Sequence, residues 1–398
     1  MKKYQYIIIG GGMTGSAAVM GIREIDQAGT IAMFSRDHYG PYNRPPLSKG
    51  LWGKGKVEDI FRPMDKYNVE LFLEDKIVAI HPQEKWVENQ NGERFGYDKL
   101  LLATGGHPIQ LKDTPQGVIN YRTLSDFEKL HKAVESQQDF CVIGAGFIGS
   151  EIAAALNKQG KSVTMIFPEA GIAARIFPED LSAFMNQYYQ DKGVKVLHGN
   201  LVNGIEKQGE KFVVRYTNQQ TGQSSETEFD DVVVGVGIRP NIYLAEEAGL
   251  AVDNGIIVND YLQTDNPDIY AAGDVANFYN PALGKRTRVE HEDNANTMGM
   301  IAGKNMAGEK QAYTHFPFFY SDLFDLGYEA LGEMSKDARI VEDWVKPFEK
   351  GAVVYLEEDK VRGAIFWNLW GKVDQGREVI AEGRSYPGES IKGVFTQE

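Results

Sequence analysis

The hydrophobic positions of this 398-residue chain gather into short unbroken apolar runs, several of which stop abruptly at glycine. The first covers residues 6–9, and its Ile7-Ile8-Ile9 core is the kind of strand that a parallel sheet buries on both faces. Gly10-Gly11-Gly12-Met13-Thr14-Gly15 follows at once, then an apolar stretch of helical character, then a second apolar run over 30–35. The same order returns at 140–143, with Gly144-Ala145-Gly146-Phe147-Ile148-Gly149-Ser150-Glu151, an alanine-rich helix and a strand over 163–167. Beyond residue 313 the apolar runs alternate with turns, as at 351–356 and 363–370, before a helix near Val373–Glu382. Strand, glycine turn, helix, strand is an α/β signature, and its two occurrences are the only internal repeat.

Each glycine loop has the GxGxxG spacing, and each glycine has a separate reason. Gly10 and Gly144 permit the tight turn, Gly12 and Gly146 let the backbone approach a pyrophosphate, and Gly15 and Gly149 let the helix pack closely on the strand. The amides at the helix start, around Met13 and Thr14 or Phe147 and Ile148, then face the phosphates. One such loop could be a structural turn. Two complete copies predict two dinucleotide sites, each in a Rossmann-like domain.

An acidic residue for the adenosine ribose is expected after the second strand of each unit. In the first, Arg36 holds that place and Asp37 comes next, so Asp37 is the ribose candidate. In the second, the strand ends in Phe167-Pro168-Glu169. A carboxylate there bonds both ribose hydroxyls and repels a 2′-phosphate, which favours NADH over NADPH, whereas Arg175 could pair with that phosphate.

Composition narrows the function further. A net charge of −14 repels nucleic acid. No stretch approaches the roughly 18 apolar residues that cross a bilayer, and the chain runs into its first strand with no room for a leader, so a cytoplasmic location with no membrane contact is expected. The single cysteine, Cys141, lies in a strand and reads as a small buried hydrophobe; no intramolecular disulfide or CxxC pair is possible. Seven histidines without HxxxH or HExxH spacing predict no metal site.

Further segments carry a family resemblance. Tyr97-Asp98-Lys99-Leu100-Leu101-Leu102-Ala103-Thr104-Gly105-Gly106 ends a strand in ATGG, and Thr264-Asp265-Asn266-Pro267-Asp268-Ile269-Tyr270-Ala271-Ala272-Gly273-Asp274 resembles a second FAD motif. Pro41-Tyr42-Asn43-Arg44-Pro45-Pro46-Leu47-Ser48-Lys49 resembles the RPPLSK signature of putidaredoxin-reductase-type ferredoxin reductases. With Val289-Glu290-His291-Glu292-Asp293, the whole chain resembles two-dinucleotide flavoproteins of the FAD/NAD(P)-dependent pyridine nucleotide oxidoreductase family. Apoptosis-inducing factor and the ferredoxin reductases are nearest, with some likeness to monodehydroascorbate reductase.

That resemblance implies an FAD domain over 1–115 and 244–312, an NAD(P) domain over 116–243 and a small C-terminal α+β interface domain over 313–398. FAD would occupy the first loop together with Ala103, Thr104 and Gly105, and Asp274 would bond the ribityl hydroxyls. Arg44 and Arg122 would reach the FAD phosphates and flavin side, unless they form surface ion pairs, and the backbone of Val78 would meet the adenine. Gly237 would touch the nicotinamide dinucleotide, Glu290 the nicotinamide, and His291 and Glu292 the flavin ring. Apoptosis-inducing factor has histidine where this chain has Glu292. Lys49 and Glu151 would form an ion pair beside flavin N5, the alternative being that Lys49 caps a helix and Glu151 is solvated. Tyr320, in Phe318-Phe319-Tyr320-Ser321-Asp322, would stack near the isoalloxazine or nicotinamide, or else pack in the core. Glu329 is a further nicotinamide-side candidate.

Disulfide-relay relatives pass electrons through cysteine, and Asn43 stands where some of them need one. The implied activity is therefore direct: hydride from NADH to FAD, then electrons to a separate acceptor. A ferredoxin or rubredoxin-type protein is the leading partner; a quinone or monodehydroascorbate-like radical is the alternative. A non-catalytic NADH redox sensor, as monomer or homodimer, is a third reading.

Overall fold

The computed structural model describes residues 1–397, and the chain divides into two compact units. The first takes Met1–Arg44, Lys56–His107 and Arg239–Phe319, and the second takes Pro45–Gly55, Pro108–Ile238 and the chain from Tyr320.

The first unit is built on a seven-stranded sheet in the order Val69–Phe72, Ile31–Phe34, Lys2–Ile9, Arg94–Leu102, Trp86–Asn89, Ile77–His81, with Ile269–Ala271 also paired to Arg94–Leu102. Lys2–Ile9 runs parallel to both neighbours, with Ile7 opposite Ala32 and Leu100. Ile7, Ile8, Leu100, Leu101 and Leu102 are fully buried, which is why these strands read as unbroken apolar runs. The first strand begins four residues before the apolar run, because Lys2 and Lys3 pair with Glu70 and Asp98 at its exposed end. Helix Met13–Ile25 lies tightly against helix Glu292–Met306: a Cβ at Gly299 would sit 2.4 Å from the Thr14 carbonyl oxygen. That approach sets the N-terminal turn of the first helix against the middle of the second.

The second unit contains a five-stranded parallel sheet in the order Lys195–Leu197, Ser162–Ile166, Asp139–Ile143, Asp231–Val234, Ile119–Asn120. A three-stranded antiparallel sheet, Asn200–Gln208, Lys211–Asn218 and Ser224–Phe229, is attached to it. The C-terminal sheet has the order Phe318–Leu323, Leu326–Gly332, Lys360–Trp367, Lys350–Glu357, Arg339–Lys346, covered by helix Val373–Glu382. Its last strand stops short of the predicted 370 because Asn368, at φ 45°, turns the chain. Aromatic packing joins this sheet to the preceding segment. Tyr328 stacks on Trp367 at 5.7 Å, and Phe177 meets both rings edge-on. The hairpin tip at Phe324-Asp325 is held by Lys158, which donates to the Phe324 carbonyl at 3.1 Å, and by Lys192, 2.5 Å from the Asp325 carboxylate. No helix among the described residues is long and apolar enough to cross a membrane.

Candidate active site

The first glycine loop leaves a strand and enters a helix with no side chain at its cap. Gly10 sits at φ 127°, where an added Cβ would lie 2.1 Å from the Ala103 carbonyl oxygen, and its amide donates to Phe34 O at 2.9 Å. A Cβ on Gly15 would lie 2.1 Å from the Gly10 carbonyl oxygen. Gly12 is the N-cap of helix Met13–Ile25, makes no side-chain cap bond, and has open space where its Cβ would be. A loop with two glycines locked by contact and a third facing space, at an uncapped helix N-terminus, fits a pyrophosphate.

Ala103 and Thr104 abut Gly10 of this loop, and the other predicted FAD residues of the first unit have the following surroundings. Ala103 N donates to Ile9 O at 2.9 Å, and Thr104 is clasped by Asn241, which takes its hydroxyl at 2.9 Å and returns an amide bond at 2.7 Å. The Gly105 carbonyl accepts Asn241 N at 2.9 Å. Asp37 holds its own turn, accepting Tyr39 N and the Tyr42 hydroxyl at 3.3 and 3.2 Å, while Arg36 is exposed. Val78 is 37% exposed at a β-bulge between Ile77 and Ala79, which takes its backbone out of the regular ladder. Arg44 is half-buried at the end of the 37–44 loop.

Asp274 lies in the turn Gly273–Val275, whose glycine abuts Thr14, and the Asp274 carbonyl accepts Arg288 Nη1 at 3.0 Å. Glu290 pairs with the same Arg288 nitrogen at 2.7 Å. His291 is the N-cap residue of helix Glu292–Met306 and stacks on Phe319 at 4.4 Å; Glu292 opens the helix. Asn294, fully buried in the first turn, accepts the Tyr313 hydroxyl at 2.7 Å, while its Nδ2 has no protein partner. A buried donor without a protein partner, on the helix that packs against Met13–Ile25, again fits a polar ligand.

Arg62 was not legible in the sequence. It bonds Met13 O at 3.2 Å, Ser16 Oγ at 2.9 Å, Asn43 Oδ1 at 2.7 Å and Asn296 Oδ1 at 2.6 Å, so a single cation ties both helix starts to the 43–44 segment. Burial lowers its pKa, opposed by Glu292. No spacing rule marks it, because its partners come from three separate stretches.

Burial pulls the His291 pKa down from 6.5 to about 4, against the upward pull of Asp274 and Asp293. Between those two values the unfolded chain binds a proton that the folded chain refuses, so this group's contribution falls as pH drops from 6.5 toward about 4. We expect His291→Asn to remove about 1–2 kcal/mol of the stability difference between pH 7 and pH 5. Denaturant unfolding of both proteins at the two pH values measures this, and equal differences would refute it.

The second loop repeats the geometry within the second unit. Gly144 sits at φ 103° with its Cβ position 2.5 Å from Gly235 O, and a Cβ on Gly149 would lie 2.1 Å from Gly144 O. Gly146 caps helix Phe147–Lys158 without a side-chain bond and faces open space. Phe147 and Ile148 are 38% and 39% exposed at that opening. Glu169 Oε1 accepts Arg175 Nε and Nη2 at 3.1 and 2.9 Å. Gly237, at φ 108°, accepts Ile109 N at 2.9 Å. Cys141 is fully buried in the Asp139–Ile143 strand, and burial pushes its thiol up, away from the reactive thiolate.

A charged cluster lies in the same unit. Lys49 Nζ is 2.6 Å from Glu151 Oε1, and these side chains are 16% and 2% exposed. The backbone of Lys49 caps the short turn Gly50–Trp52, but its side chain goes to Glu151. Two further donors reach the same carboxylate: Ser48 Oγ at 2.5 Å to Oε2, and Ser321 Oγ at 2.6 Å to Oε1. The Lys49 ammonium stands 5.1 Å from the centroid of the Tyr320 ring, in cation–π range. Burial, reinforced by Glu151, pushes the Tyr189 and Tyr328 hydroxyls far above their ordinary range, so both stay protonated. Ser48 and Ser321 were inside quoted motifs but were not singled out as site residues.

Two further predicted residues lie in the second unit. Arg122 is half-buried ahead of helix Leu124–Ser136, where its amide donates to Asp126 at 3.1 Å beside the Thr123–Asp126 capping box. Glu329 accepts Gly371 N at 2.9 Å and so fixes the turn after Trp370.

Comparison with known proteins supplies the remaining constraint. The family profile described as pyridine nucleotide-disulphide oxidoreductase matches residues 4–299. The chain is 35% identical to apoptosis-inducing factor 1, mitochondrial, of Dictyostelium discoideum, covering 97% of this chain and 80% of that one. It is 32% identical to the 5,5'-dehydrodivanillate O-demethylase ferredoxin reductase subunit of Sphingobium sp., covering 96% and 94%. Among solved structures, the covalent putidaredoxin reductase–putidaredoxin complex superposes with TM-score 0.89 at 28% identity, covering 96% and 94%. The two Rossmann-like folds and both glycine loops agree with these matches. The chain is thus a flavin-dependent oxidoreductase that uses FAD and NAD(H), and it belongs to the pyridine nucleotide-disulphide oxidoreductase family.

Proposed function

We propose that this chain is an NADH-dependent reductase that delivers electrons from FAD directly to a ferredoxin or rubredoxin-type protein. The observation that carries this is the buried Glu151 carboxylate holding Lys49 beside Tyr320 in a chain with one inert cysteine. Such a pair is costly to bury, which points to a functional reason for it. FAD, when bound, supplies the chemistry that accepts a hydride and releases electrons singly. In this reading the Gly10 loop, Asp37, the backbone of Val78, Thr104 and Asp274 hold FAD in a domain formed by 1–115 and 244–312. The Gly144 loop, Glu169 and Gly237 hold NADH in 116–243, and 313–398 contributes Tyr320 and the acceptor face. Lys49 offers positive charge where reduced flavin is anionic, and Glu151 keeps that ammonium in place.

Relatives support the acceptor class: one is named as a ferredoxin reductase subunit, and one solved structure is a reductase joined to putidaredoxin. The test is anaerobic titration with NADH followed by a panel of ferredoxin, rubredoxin and quinone. Rapid turnover with an iron–sulfur or iron protein is expected. Turnover with quinone alone, or a colourless protein, would sink the proposal. The tyrosine at 320 keeps a small radical acceptor as the second reading, since the chain is also 29% identical to monodehydroascorbate reductase of Pisum sativum.

The Glu169–Arg175 pair yields a second prediction. Glu169→Ala should raise the KM for NADH about tenfold, the scale of losing hydrogen bonds to a charged acceptor, and should leave kcat unchanged. Removing the carboxylate also frees Arg175, so the preference for NADH over NADPH should narrow. Steady-state kinetics with both nucleotides checks this; an unchanged preference would remove Glu169 from the ribose site.

A further inference from the structure

The Glu151 carboxylate has more partners than an ion pair requires. Its oxygens take three donors from two distant stretches: Ser48 on one oxygen, Lys49 and Ser321 on the other, at 2.5, 2.6 and 2.6 Å. Ser321 is 0% exposed and Ser48 6% exposed, so neither hydroxyl is explained by solvent. A buried hydroxyl has one proton to donate, and both serines direct theirs at the same anion. Neither is required to build its own element. Ser321 sits within the Phe318–Leu323 strand, and Ser48 ends the short turn Pro45–Ser48.

We infer that Ser48 and Ser321 are positioning residues for electron transfer: by sharing the charge of Glu151 they leave the Lys49 ammonium available to reduced flavin. If Lys49 were the sole donor to a buried carboxylate, the pair would close on itself and its field would largely cancel. The ammonium uses one of its three N–H groups on Glu151 and keeps two for another partner; the two hydroxyls stabilise part of the carboxylate's negative charge, so it cancels less of the ammonium's field. The Phe324-Asp325 tip, anchored by Lys158 and Lys192, holds Ser321 in register three residues upstream. The inference rests on the reading of Lys49 and Glu151 as neighbours of the flavin.

The test is a double-mutant cycle on the FAD-loaded protein with Ser321→Ala, Glu151→Gln and the two combined. Two quantities are read: the midpoint potential of the bound flavin against a redox dye, and the rate of its reduction by NADH in anaerobic stopped flow. Ser321→Ala should slow reduction about tenfold, the scale of one charge-assisted hydrogen bond, and make the potential more negative. In the Glu151→Gln background the same change should alter the rate less than about twofold and leave the potential in place, because the serine acts through the carboxylate. Equal losses in both backgrounds would overturn the inference, as would a Ser321→Ala protein with wild-type rate and potential while Glu151→Gln is impaired. If Glu151→Gln itself behaves as wild type, the reading of the ion pair fails first. Ser48→Ala repeats the cycle from the other oxygen if Ser321→Ala does not fold.

Discussion

Lys49→Met should slow flavin reduction by NADH about 10²–10³-fold while FAD stays bound. Preorganised charge aimed at a site of developing negative charge is commonly worth that much, and methionine keeps the length of the side chain without its charge. The substitution also strands a carboxylate whose side chain is only 2% exposed. A stability loss of about 3–5 kcal/mol is expected if nothing else compensates, softened by the Ser48 and Ser321 hydroxyls that remain on it. Stability and chemistry can therefore be told apart. Lys49→Met combined with Glu151→Gln removes the buried charge and should recover most of the melting temperature, yet the slow reduction should persist. Stopped-flow reduction with thermal melts on the three proteins decides it; a double variant that reduces at the wild-type rate would assign Lys49 a structural part only.

The two glycine loops should fail in different ways. In Gly15→Ala the new Cβ would meet the Gly10 carbonyl oxygen at 2.1 Å, and in Gly149→Ala it would meet the Gly144 carbonyl oxygen at 2.1 Å. Backbone cannot swing aside like a flexible side chain, so strand and helix must separate, at a cost of about 1–3 kcal/mol or more. The movement falls on the helix-start amides proposed to face the pyrophosphate. We expect Gly15→Ala to purify without flavin, losing the yellow absorbance. Gly149→Ala should keep its flavin and its colour, while the KM for NADH rises about a hundredfold or more, since helix and loop amides carry much of the phosphate binding. The measurement is the flavin-to-protein ratio and an NADH titration of each. Loss of colour in Gly149→Ala with retention in Gly15→Ala would exchange the assignments of the two loops.

The sequence made some of these features plain and hid others for identifiable reasons. The glycine loops were legible because their spacing is local: Gly15 and Gly149 each face the carbonyl of the glycine five residues back, Gly10 and Gly144 face backbone at the end of a neighbouring strand, and Gly12 and Gly146 face open space. The runs at 7–9 and 100–102 were legible because both faces of a parallel strand are apolar. Residues 2–5 were hidden because the first strand starts among lysines that pair across the sheet edge, so no apolar period marks it. Lys49 and Glu151 entered through a family likeness rather than spacing, since 102 residues separate them. Ser48, Ser321 and Arg62 escaped altogether. A serine in a strand or turn is ordinary, and only the folded chain shows where its proton goes. The participation of Pro45–Gly55 in the second unit has the same origin, because an eleven-residue excursion carries no compositional mark.

The discontinuity of the first unit has a consequence for how the polypeptide acquires its form as it leaves the ribosome. Arg94–Leu102 pairs with Ile269–Ala271, so the central sheet stays open along that flank until more than 160 further residues have been made. Pro108–Ile238 is meanwhile uninterrupted and carries its own five-stranded sheet. Pro108–Ile238, which carries the loop proposed to bind NADH, can thus acquire its shape during synthesis, while the first unit, proposed to hold FAD, waits for Ile269–Ala271 and for helix Glu292–Met306. FAD uptake is then a late event, and nascent chains halted before residue 269 would be expected to bind nucleotide but remain colourless.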